Sequence, residues 1–189
     1  MSKPIAEPTR IISCRLAEEA DFDAIHRLNY RTFVEEIPQH APNAERRLVD
    51  RFHSENTYVI CTVDGHLIGM VCGRCVRPFS LDRKVPHLEQ WLPAHEKAVE
   101  IRLLAVERSH RKSAVFQVLI ATLSAHFRDQ GCDLALISGT VRELKLYRHL
   151  GFEPFGEVVG AAGARYQPMY LTRSALDHLR PSLATRNRR

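Results

Sequence analysis

The sequence predicts an α/β chain built on one mixed sheet, with helices on both faces. Three observations predict it. Two β-rich segments flank an Asp64-Gly65 turn, later short strands alternate with helical segments, and 189 residues at 44% hydrophobic and 26% charged suit one globular core. The expected organisation is a loose leader over residues 1–10, a single domain over 11–179 and a basic tail over 180–189.

The elements follow in order. Ile11 to Leu16 is apolar and β-branched, a first strand. Asp21 to Glu36 sets Phe22, Ile25, Leu28 and Phe33 at helical spacing, and Pro38 closes it. Ala44 to His53 reads as a second short helix with Leu48 and Phe52 on one side. Thr57 to Val63 and Leu67 to Val76 form the hairpin around Asp64-Gly65. Phe79 to Lys97 is irregular, with Trp91 between Pro86 and Pro93, and a loop of that length points to binding. Ala98 to Val106 is the fourth strand, Ser113 to Gln130 a helix stopped by Gly131, and Leu134 to Ser138 a fifth, buried strand. Thr140 opens a helix to Leu150 through a T-x-x-E capping box, and Gly151 stops it. Glu153 to Val159 and Arg165 to Thr172 are two last strands, followed by a helical turn near Ser174 to Leu179. The order is β-αα-βββ-α-β-α-ββ.

Chemistry concentrates in three places. Strict alternation in the fourth strand puts Val99, Ile101, Leu103 and Ala105 on one face and Glu100, Arg102, Leu104 and Val106 on the other. This strand feeds a crossover helix, so it belongs in the middle of the sheet, where a carboxylate is costly. Glu100 is either an ion-pair partner of Arg102 or a partly desolvated base able to take a proton from an ammonium. The strand-to-helix turn Val106 to Val115 then brings Arg108, Arg111 and Lys112 to a helix N-terminus, whose free N–H groups bind anions. Finally, Tyr147 stands one helical turn before Gly151-Phe152, as a core tyrosine or as an acid.

A strand glutamate, a strand-to-helix turn of the form V-x-x-x-x-R, then Y-x-x-x-G-F after the next strand resembles the GCN5-related N-acetyltransferase superfamily. The resemblance spans residues 11–172. It implies that the fourth and fifth strands splay and hold an acyl thioester in the gap, against Leu104 and Val106. It implies Glu100 as general base, Tyr147 as the acid that protonates the leaving thiolate, and a pyrophosphate loop of Arg108, Arg111, Lys112, Ser113, Ala114 and Val115. That loop departs from the family's [RQ]-x-x-G-x-[GA], with Ala114 for the central glycine and Phe116 for the last small residue. Asn29 to Glu36 and Glu100-x-Arg102 are similar to patterns of acyl-homoserine-lactone synthases and long-chain N-acyl amino acid synthases. That branch implies Arg31 and Arg102 as substrate residues and acyl-CoA or the pantetheine of an acyl carrier protein as donor. The reaction expected is transfer of the acyl group to a primary amine of a small molecule. A non-catalytic thioester-binding module of the same fold is the alternative.

Composition narrows the remainder. The net charge of +5 and pI near 9.1 suit an anionic cofactor or an acidic carrier protein, while no aromatic-plus-basic stripe supports nucleic-acid binding. No apolar run reaches the about 20 residues that a membrane span needs, and residues 1–10 lack a secretory core, so the expectation is a cytoplasmic enzyme. Five cysteines without a framework are expected as free thiols. Cys72 and Cys75, three apart in a strand, should face opposite ways, and no metal site is expected. A homodimer is compatible with everything above.

Overall fold

A computed structural model describes residues 12–111, 113–161 and 164–175 of the protein. The expected leader, basic tail and Lys112 lie outside the described residues. Strands β1 (Ile12–Leu16), β2 (Thr57–Val63) and β3 (His66–Arg74) form an antiparallel meander. Asp64 and Gly65 take φ of 50° and 79°, the left-handed pair that a tight primed hairpin demands. β3 pairs antiparallel with β4 (Ala98–Val106), which runs parallel to β5 (Leu134–Thr140) through the crossover helix α2 (Val115–Asp129). β6 (Glu153–Pro154) and β7 (Val159–Ala161) both pair with β8 (Ala164–Thr172), giving the order β1-β2-β3-β4-β5-β8-β6.

Two helices sandwich the first half of the sheet. α2 packs Val115, Leu119, Leu123 and Phe127 against Val59, Val71 and Val99. It sits close because β3 carries Gly73, where a Cβ would stand 2.2 Å from Cε2 of Phe127. On the opposite face α1 (Phe22–Tyr30) buries Ile25 and Leu28 against Ile60, Met70 and Cys72. Each fully buried side chain of this size contributes about 1.5–3 kcal/mol. α1 continues as a wider π turn over Arg31–Glu36. A short α3 (Leu144–His149) follows β5 on the α2 side, with Leu144 and Tyr147 against Ile137 and Phe152.

β4 departs from strict alternation, and this creates the site. Met70 pairs with Ala105 and Cys72 with Arg102, so β4 carries one extra residue there. Leu103 takes φ 52° at this bulge. Glu100 and Arg102 therefore share the α1 face with Leu103 and Ala105, while Leu104 packs with Val99, Ile101 and Val106 toward α2. Pairing of β4 with β5 ends at Glu100 and Leu136, and beyond that point the two parallel strands diverge. The splay is the one expected.

Three other expectations are corrected. Ala44 to His53 is no helix: the Leu48 N–H donates to the His26 carbonyl, and Asp50 and Phe52 are drawn into contacts with arginines. Gly156, at φ 57°, turns the chain and splits the strand expected over Glu153 to Val159. Cys14 and Cys61, which face each other across β1 and β2, are joined as a disulfide, leaving Cys72, Cys75 and Cys132 free. Cys72 and Cys75 do face opposite sides, packing against the α1 and α2 clusters respectively.

Candidate active site

A cleft of about 1310 Å³ follows the splay, running from α1 and the β3–β4 loop, through the gap, to α2 and α3. Glu100, the last β4 residue paired with β5, is 1% exposed. Its carboxylate accepts from the Ser80 N–H at 2.8 Å, the Ser80 hydroxyl at 2.5 Å and the Leu81 N–H at 3.1 Å. Two carboxylate oxygens offer about four lone-pair positions, so one position on Oε2 is left. These bonds tie the β3–β4 loop to the centre of the sheet, and Ser80 itself lines the cleft.

Arg102 reaches the same wall. Nη1 and Nη2 donate to the two oxygens of Asp50 at 2.7 and 3.0 Å, and Nε lies 3.7 Å from Oε2 of Glu100. Asp50 also accepts from the Phe52 N–H and Asn56. Burial opposes the charge of Asp50, but the Arg102 guanidinium and these bonds outweigh it and hold the carboxyl below its ordinary pKa. Phe52 lies under three guanidiniums, those of Arg74 at 3.8 Å, Arg51 at 4.4 Å and Arg102 at 4.9 Å. Arg74 is itself 2% exposed and held by Glu55 and the Pro78 carbonyl.

Lys84 completes this side. From the first turn of the β3–β4 loop it reaches across to β5, where Nζ donates to the Ser138 hydroxyl at 3.1 Å and lies 5.0 Å from the Tyr166 ring. Desolvation by the groups packed around it lowers its pKa below the ordinary lysine value, with Glu100 working against that shift and Arg102 and Arg51 adding to it. Asn29, on α1, also borders the cleft and is 0% exposed, yet neither Oδ1 nor Nδ2 of its side chain has a partner among the described residues.

The α2 face carries the rest. Tyr147 lies flat over Gly139 of β5, where a Cβ would come within 2.8 Å of its ring. Burial raises the phenol's pKa, a neighbouring Thr140 hydrogen bond partly countering it, so the group stays protonated well above neutrality. Leu104, Val106, Arg111, Ser113 and Phe116 line the cleft beside the start of α2. Arg111 is steered by Glu36 and by the Val106 carbonyl, to which Nε donates at 2.9 Å. Ala114 flanks α2, and the Val115 side chain is fully buried in the core, leaving only its backbone for an anion. Arg108 is exposed outside the cleft lining, and Arg31 is paired with Glu107 at 2.7 Å, also outside it.

The structure thus brings Glu100, Arg102 and Tyr147 to one gap, while Arg31 and Arg108 remain at the surface. Sequence reasoning missed Asp50, Ser80, Lys84 and Asn29 as members of the wall. Asp50 fell in an expected helix, and Ser80 and Lys84 in the long loop without further distinction. Among the described residues no cluster of His, Cys, Asp and Glu could hold a metal ion, and no helix is long and apolar enough to cross a membrane.

A bulged β4 splayed from a parallel β5, with a crossover helix at the gap, defines the GCN5-related acyltransferase fold. Solved structures show the same fold. A CoA-dependent acyl-homoserine lactone synthase, BjaI, with SAM and isopentyl-CoA is 21% identical, with 88% of this chain and 83% of that one covered at TM-score 0.74. The acyl-homoserine lactone synthase LasI is 16% identical over 88% and 94% of the two chains, at TM-score 0.70. FeeM, an N-acyl amino acid synthase from uncultured soil microbes, is 16% identical over 92% and 98%, at TM-score 0.69. No curated protein matches in sequence. Over residues 24–175 the chain matches the N-acyl amino acid synthase FeeM family, to which it belongs. It is an N-acyltransferase of that family.

Proposed function

We propose that the protein transfers an acyl group from a pantetheine thioester, on CoA or an acyl carrier protein, to the α-amine of an amino acid. The observation that carries this reading is the opposition of Glu100 and Tyr147 on the two faces of one strand gap. The family's activity as N-acyl amino acid synthases supports the amino-acid acceptor, and the BjaI complex with isopentyl-CoA supports a thioester donor longer than acetyl.

The donor enters on the α2 face, its phosphate meeting the backbone N–H groups at the start of α2 beside Ser113 and Arg111. Its acyl chain lies between α2 and α3, where Phe116, Ile120, Leu146 and Leu150 offer an apolar channel. The thioester carbonyl occupies the gap, against backbone freed from pairing by the β4 bulge. The acceptor ammonium comes from the α1 face and gives its proton to Glu100 through the Ser80 hydroxyl. The neutral amine attacks the carbonyl carbon, the attacking nitrogen gives up its second proton to solvent, and the C–S bond breaks as Tyr147 gives its proton to the departing thiolate. The products are an N-acyl amino acid and a free thiol, and solvent returns the two protein groups to their starting states. Arg102, fixed by Asp50, positions Glu100. Acyl donors of this kind are cytoplasmic metabolites, which supports that location.

The test is thiol release from octanoyl-CoA and from an octanoyl carrier protein, with and without each amino acid. Release that depends on an amino acid is expected. Release at one rate with and without every acceptor would make the protein a thioesterase, and none at all would leave the binding-module alternative.

A further inference from the structure

We infer that Lys84 is the specificity residue that holds the acceptor's carboxylate, with Arg51 as the second cation. This rests on the transferase reading above and deepens it. Besides Arg74, the β3 neighbour of Glu100, which is paired with Glu55, four ionisable groups stand around Glu100 on the acceptor side of the gap: Asp50, Arg51, Lys84 and Arg102. Asp50 and Arg102 satisfy each other through two hydrogen bonds. Glu100 is directed at Ser80 and Leu81 of the loop. Among the described residues, neither Lys84 nor Arg51 has a carboxylate in ion-pair contact: Lys84 donates to a neutral hydroxyl and Arg51 stacks on Phe52. The wall therefore has two cations left over against one carboxylate, a surplus that favours an anionic ligand.

The position of Lys84 gives that surplus a direction. Its ammonium bonds to Ser138, two residues along β5 from Leu136, the partner of Glu100. Glu100, Ser138 and Lys84 thus stand on one side of the sheet at the mouth of the splay. A carboxylate held between Lys84 and Ser138, which supplies a cationic and a neutral donor, points the neighbouring α-amine toward Ser80, Glu100 and the gap. An amine without a carboxylate leaves Lys84 facing no counter-charge. Lys84 is exposed, so it can meet a ligand without rearrangement of the core. A hydrogen bond to a charged group at such a site distinguishes ligands by about 10- to 100-fold.

The experiment compares kcat/KM for free amino acids and for their methyl esters, with octanoyl-CoA as donor, in wild type, Lys84→Met and Lys84→Arg. Taking the change in the acid-to-ester ratio between proteins cancels the different intrinsic reactivities of the two amines. We expect Lys84→Met to lower that ratio by about 10- to 100-fold, chiefly through KM for the acid, and Lys84→Arg to restore most of it. An unchanged ratio, with acid and ester falling together, would overturn the assignment and make Lys84 a loop-packing residue. Failure of every acceptor, acid or ester, to accelerate thiol release in wild type would instead overturn the transferase reading beneath it.

Discussion

Replacing Glu100 by glutamine separates its two roles, as anchor of the β3–β4 loop and as proton acceptor. The carboxylate receives three hydrogen bonds, one on Oε2 and two on Oε1. Glutamine keeps the shape but turns one oxygen into an NH₂ group. Its remaining oxygen will keep the side with two donors, so the NH₂ faces the Ser80 N–H across what was a 2.8 Å bond. One charge-assisted bond is lost, costing about 1.5–3 kcal/mol. For a chain of this size that lowers Tm by about 3–12 °C, at about 2–4 °C per kcal/mol. The protein therefore remains folded at 15 °C, where an assay reads chemistry alone. There kcat/KM should fall by about 100-fold or more, because glutamine cannot accept the ammonium proton. The assay is thiol release beside a thermal melt of the same sample. A Tm loss in this range with activity within threefold of wild type at 15 °C would refute the base assignment and leave Glu100 as an anchor.

Three further outcomes are expected. Tyr147→Phe should slow thiol release by about 10- to 100-fold with donor binding retained. With the acceptor saturating, so that its binding by Lys84 does not limit, the wild-type rate should fall at alkaline pH only above the ordinary tyrosine value of 10.0, since burial raises this phenol, and the variant should lack that limb. Asn29→Leu removes two buried, unpartnered polar atoms and should raise Tm by about 2 °C or more while reducing turnover; a lower Tm would mean that Asn29 is satisfied by water. His26 is depressed below 6.5, first by burial and then by His53 and Arg47. The unfolded chain then binds more protons than the folded one as pH falls below about 6.5, so stability should drop on acidification through that value. His26→Gln should flatten the Tm slope between pH 7 and 5, and an unchanged slope would assign it to other groups.

The fold was largely legible because its signals are local. Ala98–Val106 and Thr57–Val63 appear with the expected bounds, and Asp64-Gly65 makes the turn its dipeptide encodes. The splay followed from resemblance, but its cause did not. Leu103 adopts a left-handed φ without being Gly, Asn or Asp, and nothing local announces that. The bulge moved Leu103, Leu104, Ala105 and Val106 to the faces opposite those expected. Ala44 to His53 failed as a helix because long-range partners won. Its backbone bonds to α1, and its Asp50 and Phe52 serve Arg102 and Arg74. Glu100 was singled out by its place on a central strand and Tyr147 by the resemblance, and both line the gap. Lys84 and Ser80, by contrast, sit in a loop whose path is set by long-range contacts, the Glu100 carboxylate and the packing of Phe79 and Leu81 against Leu136.

The central claim, amide formation with an amino acid in the strand gap, is tested most directly by the product's mass. The purified protein is incubated with octanoyl-CoA and a ¹⁵N-labelled amino-acid mixture, and extracts are analysed by fragmentation mass spectrometry. Octanoyl amino acids with the acyl group on the labelled α-nitrogen are expected, formed together with free thiol and lost in Glu100→Gln. Free octanoic acid as the sole acyl product, or acyl groups on oxygen alone, would contradict it.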